Sequence, residues 1–169
     1  MKSWDQVISP PLKGRPPKPR TTGMTMILDK GLSLSETRNI LETGADFIDY
    51  IKLSFGTLPL YPPSILKKKI HMAADFGIPV YPGGTFLEIA FWEKTVDRVL
   101  DQLSALGIQW VEISDGTITL SPEERRQLIA KALGRGFKVI TEVGKKDPAQ
   151  QPDPHRLVQT AKEDLECGA

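Results

Sequence analysis

The chain has 169 residues, of which 40% are hydrophobic and 25% charged, and its formal net charge is +1. This composition is ordinary for one globular domain, and the near-neutral charge gives no reason to expect binding to nucleic acid or to a membrane surface. A single cysteine, Cys167, excludes an intrachain disulfide, and no apolar run approaches the roughly 20 residues of a membrane span. We therefore expect a cytoplasmic protein.

Residues 1–20 are predicted to form an N-terminal arm, and residues 21–169 one domain. Prolines alternate with basic side chains throughout the arm. Because proline restricts φ and removes a hydrogen-bond donor, this segment is expected to be extended and irregular. Two interpretations are open: a partly ordered tail, or an arm whose basic end at Arg20 reaches the mouth of an active site.

From Gly23 onward, two interleaved series of glycines repeat about every 30 residues, the length that one strand, its crossover helix and the next parallel strand need. The first series is expected to end helices, and the second to close strands at the turn into the next helix. The first series is Gly44, Gly77, Gly107, Gly136 and Gly168, and the second is Gly31, Gly56, Gly84, Gly116 and Gly144. The repeat predicts consecutive βα units.

Local signals mark the starts of three helices between these glycines. Ser33 and Glu36 have the spacing of a capping box. Ser121-Pro122-Glu123-Glu124 combines a capping residue, a proline in the first turn and acidic side chains at the positive end of the helix dipole. Asp153-Pro154 gives a third start. We therefore predict helices that begin at these three positions.

Helical spacing of apolar side chains predicts two further helices, over 65–76 and 96–106. In the first of these, the run Lys67-Lys68-Lys69 interrupts the apolar stripe. The simplest interpretation is that all three lysines lie on the solvated face of the helix.

Four apolar runs that end in glycine are predicted to be strands, and the most informative is Trp110–Ile113, followed by Ser114-Asp115-Gly116. A buried parallel strand typically reads as a continuous apolar run. Glu112 lies inside this one, and burying a carboxylate costs several kcal/mol unless a cation or hydrogen bonds compensate it. The position therefore indicates a functional site.

Five βα units occupy roughly 150 residues, whereas a closed eightfold barrel typically takes about 250. The predicted fold class is α/β. The chain is expected to be either an open five-stranded parallel sheet or the first five units of a (βα)₈ TIM-type barrel.

In a parallel βα array, catalytic residues gather at the C-terminal ends of the strands. The side chains predicted to lie there are rich in carboxylates and ammonium groups: Asp29, Lys30, Lys52, Ser54, Thr85, Glu88, Glu112, Ser114, Asp115, Glu142, Lys145 and Lys146. Carboxylate oxygens without histidine or cysteine suit Mg²⁺ rather than zinc, and lysines suit phosphate and other anions. The combination predicts a small anionic, phosphorylated substrate held by magnesium and lysine.

Several other candidates have simpler explanations. His71 and His155 fall on predicted helices or their starts, and Cys167 lies near a helix end, so each is expected to be structural. The Gly83-Gly84-Thr85 turn alone is weak support for phosphate binding, because many tight turns have this composition. Lys145-Lys146 and the strand-end glutamates could also be ordinary surface ion pairs.

These strand-end motifs together resemble the phosphosulfolactate synthase family. The resemblance rests on the segments Lys18-Pro19-Arg20, Asp29-Lys30-Gly31, Phe47–Lys52, Phe55-Gly56-Thr57, Tyr81–Thr85 with Glu88, Glu112–Gly116 and Glu142–Lys146, and it runs from about residue 18 to 169. The sequence departs from the family pattern after Lys52, where Leu53-Ser54-Phe55-Gly56 replaces Phe-Gly-Trp-Gly. It also lacks the stretch that forms strands six to eight in the family, which leaves open whether these 169 residues are active alone.

The resemblance implies a (βα)₈ barrel and a Mg²⁺-dependent addition of sulfite to phosphoenolpyruvate, which gives (2R)-phospho-3-sulfolactate on the route to coenzyme M. It implies that Lys145 donates the proton and that Glu112 and Glu142 act in catalysis. The expected metal ligands are Asp29, Glu112, Asp115 and Glu142. The expected substrate-binding residues are Lys30, Lys52, Gly84, Thr85, Ser114 and Lys146. The expected partners are these small anions only, and a homo-oligomer is compatible with the sequence.

Two other hypotheses belong to different classes. The first is a non-catalytic relative, of the kind represented by the plant heat-stress-associated proteins. The second is another phosphate-binding barrel enzyme, such as an aldolase, which would need a lysine that forms a Schiff base.

Overall fold

A computed structural model describes residues 7–8 and 15–169 of the chain; the rest of the predicted arm lies outside the described residues. The described residues form five strands and six α-helices. The strands are β1 (Met26–Asp29), β2 (Tyr50–Leu53), β3 (Val80–Pro82), β4 (Trp110–Ile113) and β5 (Lys138–Thr141). The helices are α1 (Leu34–Gly44), α2 (Pro63–Asp75), α3 (Thr85–Trp92), α4 (Val96–Ala105), α5 (Pro122–Gly134) and α6 (Pro154–Glu166). The predicted succession of βα units is confirmed.

The helix starts agree with their sequence signals. Ser33 and Ser121 each form a complete capping box with the glutamate three residues later. The Asp153 side chain accepts a hydrogen bond from the backbone N–H of Arg156 at the start of α6. These caps satisfy backbone donors that have no partner inside the helix.

The prediction that glycines of the first series end helices holds for four of the five glycines. Gly77, Gly107, Gly136 and Gly168 all have positive φ and turn the chain out of a helix. Gly44 is the exception, with φ −131°, because α1 runs on into a 3₁₀ turn at Ala45–Phe47. The chain therefore needs no left-handed residue at Gly44, and that prediction was wrong.

The strands form two hydrogen-bonded parallel sheets, β1-β2-β3 and β4-β5, and β3 lies beside β4, so that the two form one layer, called the sheet below. Spatial order therefore follows chain order, as in a barrel. The sheet is strongly curved: the Tyr50 ring lies 5.2 Å from the Trp110 ring, two strands away. Alternate strands of a flat sheet are about 10 Å apart. The fold is α/β, and its βα units are of the TIM-barrel type.

The two faces of the curved sheet have different environments. The convex face packs against the helices and forms the apolar core, to which every strand contributes alternate residues. Core members include Ile51, Leu53, Val111, Ile113, Val139, Leu41, Leu66, Leu100, Leu128 and Ile129. The concave face carries the other residues of each strand, among them Tyr50, Lys52, Tyr81, Trp110 and Glu112.

Helix α3 was not predicted from the sequence. It starts directly after the turn at Gly83-Gly84 and ends at Phe91 and Trp92. Its eight residues are apolar on nearly all sides, so they show no helical stripe. Phe91 is half-buried, and Trp92 is exposed.

The described part of the arm does not reach the C-terminal ends of the strands. Arg20 donates to the carboxylate of Asp49 at 2.9 Å, and Lys18 donates to the backbone oxygen of Ala45. Both acceptors precede β2, so this segment lies at the N-terminal end of the sheet. The interpretation of Arg20 as part of the active-site mouth was wrong. No helix in residues 7–8 and 15–169 is both long and apolar enough to span a bilayer.

Candidate active site

Three charged side chains meet on the concave face. The ammonium Nζ of Lys52, on β2, lies 2.7 Å from Oε1 of Glu112 on β4 and 2.8 Å from Oε2 of Glu142, directly after β5. In a flat sheet, β2 and β5 would be about 14 Å apart. Curvature brings the three together at the C-terminal end of the concave face, which we call the mouth.

Burial sets the electrostatics of this group. Burial raises the pKa of Glu112 above its ordinary value, although Lys52 and the backbone N–H of Gly84 favour the ionised form. For Lys52, burial acts to lower the pKa, but hydrogen bonds and charge attraction from the two glutamates outweigh it, and the pKa is raised. Lys52 is therefore held as a cation between two acids.

Glycines make room for the group. The backbone N–H of Gly84 donates to Glu112 Oε1 at 2.7 Å. A Cβ on Gly84 would lie 2.8 Å from Ser114 Cβ and 3.1 Å from that glutamate oxygen, and a Cβ on Gly83 would lie 3.1 Å from Lys52 Cε. Gly84, predicted to bind substrate, contacts Glu112 and Ser114 in the described structure.

Replacing Gly84 with alanine is expected to lower the free energy of unfolding by roughly 1–3 kcal/mol, the usual cost of overpacking. Gly56→Ala is the matched control, because a Cβ there meets nothing within 4 Å. Urea unfolding of both variants measures the difference. Equal stability of the two variants would show that the turn at Gly84 is not tightly packed.

Glu88, on α3, organises the loop after β4. Its buried carboxylate accepts hydrogen bonds from the hydroxyls of Ser114 and Thr117 and from the backbone N–H groups of Gly116, Thr117 and Ile118. Burial alone would raise the pKa of Glu88, but these hydrogen bonds lower it below the ordinary value. Ser114, predicted to bind substrate, is thus held by an internal acid.

The lowered pKa of Glu88 predicts a specific acid sensitivity. Between the unfolded-state pKa of about 4.3 and the lower folded-state pKa, the unfolded chain binds more protons, so stability falls as pH falls through this range. Glu88→Gln is expected to lose about 1.5–3 kcal/mol at pH 7, the cost of charged hydrogen bonds, and to flatten this acid slope. Glu42→Gln, at an exposed site on α1, is the control. Urea melts at several pH values test this, and an unchanged slope in Glu88→Gln would contradict it.

The two adjacent lysines after β5 have different surroundings. Lys145 Nζ donates to the backbone oxygens of Asp115 and Ile118 and to the Asp115 carboxylate, at 2.6–2.9 Å. Lys146 Nζ instead contacts the hydroxyl of Thr85 and lies 5.5 Å from the centre of the Phe55 ring. Lys145 therefore ties two loops together, and Lys146 crosses the mouth from the β5 loop to the β3 loop.

Asp29 does not join the carboxylates at the mouth. The strand register places it opposite Leu53, on the convex face, whereas its neighbour Leu28 is opposite Lys52. Its carboxylate contacts Lys69 of α2 and accepts from Gly31 N, Leu32 N and the Tyr61 hydroxyl. Burial would raise the pKa of Asp29, but these contacts hold it below its ordinary value.

Asp115 also pairs with cations other than Lys52. Its carboxylate lies 3.1 Å from Arg125 of α5 and 2.9 Å from Lys145. Lys30 is exposed in the turn after β1. In the part of the chain that the structure describes, no three His, Cys, Asp or Glu side chains are grouped so that they could hold a metal ion. The four predicted metal ligands therefore do not form one cluster. Among these four, Glu112 and Glu142 are the two that pair with the same cation, Lys52.

Sequence reasoning missed two buried cations, Arg125 and Lys69. Arg125 is 5% exposed; it makes two hydrogen bonds of 2.7 Å to Asp164 of α6, and one of 3.1 Å to the backbone oxygen of Glu142. Lys69 is 2% exposed, so the expectation that the whole lysine run is solvated was wrong. Both lie inside apolar helical stripes, and that position was an available signal of burial.

The chain matches the family model described as (2R)-phospho-3-sulfolactate synthase (ComA) over residues 13–169. It is 40% identical over 164 residues to the phosphosulfolactate synthase of Methanothermobacter thermautotrophicus, covering 96% of this chain and 62% of the relative. It is 43% identical over 126 residues to that of Methanocaldococcus jannaschii, covering 75% and 50%, and 31% identical over 154 residues to that of Bacillus subtilis, covering 90% and 60%. The chain thus spans about half to three-fifths of the length of these relatives.

Two solved structures support the fold alone. The tetrameric deoxyribose phosphate aldolase of Aeropyrum pernix superposes with a TM-score of 0.52 at 14% identity, over 86% of this chain and 59% of the aldolase chain. Oxaloacetate acetylhydrolase gives a TM-score of 0.54 at 15% identity, over 86% and 56%. At such identities the similarity carries no information about the reaction.

Proposed function

We propose that this chain, which belongs to the (2R)-phospho-3-sulfolactate synthase family, carries the site at which sulfite adds to phosphoenolpyruvate to give (2R)-phospho-3-sulfolactate. The observation that supports this most is the meeting of Lys52, Glu112 and Glu142 at the mouth. Cations at this position suit a substrate that is both a carboxylate and a phosphate ester. The single cysteine supports a cytoplasmic location, and the product would serve coenzyme M biosynthesis.

We propose that a magnesium ion binds at Glu112 and Glu142. The donor set fits: oxygens of both carboxylates lie within 2.8 Å of one shared cation. Mg²⁺ is commonly bound through one or two protein carboxylates, with substrate oxygens and water completing its coordination. A bound ion would supply positive charge for the substrate carboxylate as charge develops there.

The reaction consists of three events, and side chains of the protein have to support each of them. The sulfur lone pair of sulfite forms a bond to the methylene carbon, the π electrons move to the neighbouring carbon and its carboxylate, and a proton then completes that carbon while the phosphate ester stays intact. Lys52 and Lys146 would hold the two anions against each other's repulsion. Glu112, fixed by Gly84, would keep the site rigid, because preorganised charges need no reorganisation during the reaction.

Lys146 is our candidate for the proton donor, in place of Lys145. All three hydrogens of the Lys145 ammonium group have acceptors in the loop after β4. Lys146 has a hydroxyl and an aromatic face as neighbours, and its ammonium group lies at the mouth beside Thr85. A proton donor must lie within hydrogen-bond reach of the reacting atom, which favours the lysine that faces the mouth.

The raised pKa of Lys52 speaks against the aldolase hypothesis at this position. A Schiff-base lysine has to be neutral to attack a carbonyl, which requires a lowered pKa. Lys52, held between two carboxylates, has the opposite shift. No observation at the mouth favours an aldolase.

The test is sulfite-dependent loss of phosphoenolpyruvate by this chain with and without magnesium, with the Methanothermobacter relative as positive control. We expect turnover that requires both sulfite and magnesium, and a product with a carbon–sulfur bond. No turnover by this chain while the relative is active would contradict the proposal for these 169 residues.

A further inference from the structure

We propose that Lys52 is a built-in competitor of the divalent ion: its ammonium group occupies the position between Glu112 and Glu142 and has to leave it when the ion binds. This inference rests on the magnesium site proposed above and adds a role for a residue of the chain itself. The inference predicts that Lys52 lowers the affinity of the site for the metal. This is the opposite of the effect expected from a residue that helps to build a metal site.

The geometry supports competition. Lys52 Nζ is 2.7 Å from Glu112 Oε1 and 2.8 Å from Glu142 Oε2, so it bridges two oxygens from strands that are not neighbours of β2. An ion bound by the same two oxygens, at the 2.0–2.1 Å that magnesium requires, would lie close to the position of this nitrogen. Two cations at such a short separation repel strongly where water is scarce.

The surroundings indicate which partner moves. Glu112 is fixed, because its side chain is only 4% exposed and Gly84 donates to it. Lys52 reaches the carboxylates through a flexible four-carbon chain that runs past Gly83, where the missing Cβ leaves space beside Cε. Displacement of the ammonium group therefore requires rotation of one side chain and no movement of the sheet.

Displacement would also give the lysine a second task. Once released, the ammonium group would stay tethered to the C-terminal end of β2 and remain at the mouth, beside Gly83. There it can bind the phosphate or sulfite anion. The arrival of the ion and the availability of an anion-binding lysine would thus be coupled.

Manganese serves as the probe, because free Mn²⁺ is measured directly by electron paramagnetic resonance without any turnover. Lys52→Met is expected to bind Mn²⁺ at least about tenfold more tightly than the wild type, since it removes the competing charge and keeps a side chain of similar length. Lys131→Met is the matched control: its ammonium group pairs with Asp97 on the surface at 2.9 Å, and its loss should leave Mn²⁺ affinity unchanged.

Lys52→Arg keeps the charge and can grip carboxylates with two donors, so it is expected to weaken Mn²⁺ binding several-fold. This variant decides the matter if Lys52→Met does not fold. Unchanged or weaker binding by folded Lys52→Met, or unchanged or tighter binding by Lys52→Arg, would overturn the inference while the wild-type affinity still supports the metal site. No Mn²⁺ binding by the wild type or any variant would overturn both the inference and the metal site.

Discussion

Glu112→Gln is expected to lower kcat/KM for sulfite-dependent loss of phosphoenolpyruvate roughly 100- to 1,000-fold, the range found when one preorganised electrostatic contact to developing charge is removed. Glutamine keeps the size of the side chain and an oxygen for the hydrogen bond from Gly84. It loses the charge that pairs with Lys52 at 2.7 Å and that would bind the ion. The expected loss is therefore in activity rather than in folding.

Glu123→Gln is the control for this substitution, because Glu123 is an exposed residue of α5 whose carboxylate pairs with Arg126. Exposed pairs of this kind contribute at most about 1 kcal/mol, and the control should keep nearly full activity. Steady-state kinetics with a thermal melt of each variant separates catalysis from stability. Activity of Glu112→Gln within a few-fold of the wild type would remove Glu112 from the site.

Arg125→Met is expected to lower the free energy of unfolding by about 3–5 kcal/mol, the cost of removing one partner from a buried ion pair. The substitution leaves Asp164 buried without its two hydrogen bonds of 2.7 Å, and it also removes contacts to Asp115 and to the Glu142 backbone. Because the Glu142 backbone is one of these contacts, activity should fall along with stability.

Arg126→Met is the matched control, since the neighbouring arginine is exposed and pairs only with Glu123 among the described residues. Its expected loss is between 0 and 1 kcal/mol. Adding Asp164→Leu to Arg125→Met should recover part of the stability, because no carboxylate is then left unpaired. Urea unfolding of all three variants tests the account, and equal stability of the two single arginine variants would refute it.

The strands and every helix except α3 were predictable, because glycine spacing, apolar periodicity and capping signals act locally. The two capping boxes, at Ser33 and Ser121, are formed as expected. Glu112 was predicted to be a site residue from a physical conflict, a carboxylate inside an apolar strand. The structure resolves that conflict with a lysine two strands away and a glycine N–H.

Which strand-end acids share the mouth was not predictable from their position near strand ends alone. Successive side chains of a strand point to opposite faces, so a shift of one residue moves a side chain from one face to the other. Asp29 and Lys52 both come at the ends of strands, but the register puts Asp29 opposite Leu53 and so on the helix side. Knowledge of the pairing between β1 and β2 is therefore needed to place Asp29 and Lys52 on opposite faces.

Buried cations on helices were missed for a related reason. Lys69 was interpreted as part of a solvated lysine run, although its spacing matched the apolar stripe, and no role was predicted for Arg125. Lys69 is three residues after Leu66, and Arg125 is three residues before Leu128, and all four are buried. Their partners, Asp29 and Asp164, are distant in sequence, so the pairs appear only in three dimensions.

The most direct test of the central claim is a crystal structure of this protein with Mn²⁺ and phosphoenolpyruvate, with the metal located by anomalous scattering. We predict one ion bound by oxygens of both Glu112 and Glu142, with Lys52 Nζ displaced toward the substrate phosphate. An ion bound at Asp29 or Asp115 instead, with Lys52 still bridging the two glutamates, would contradict the account.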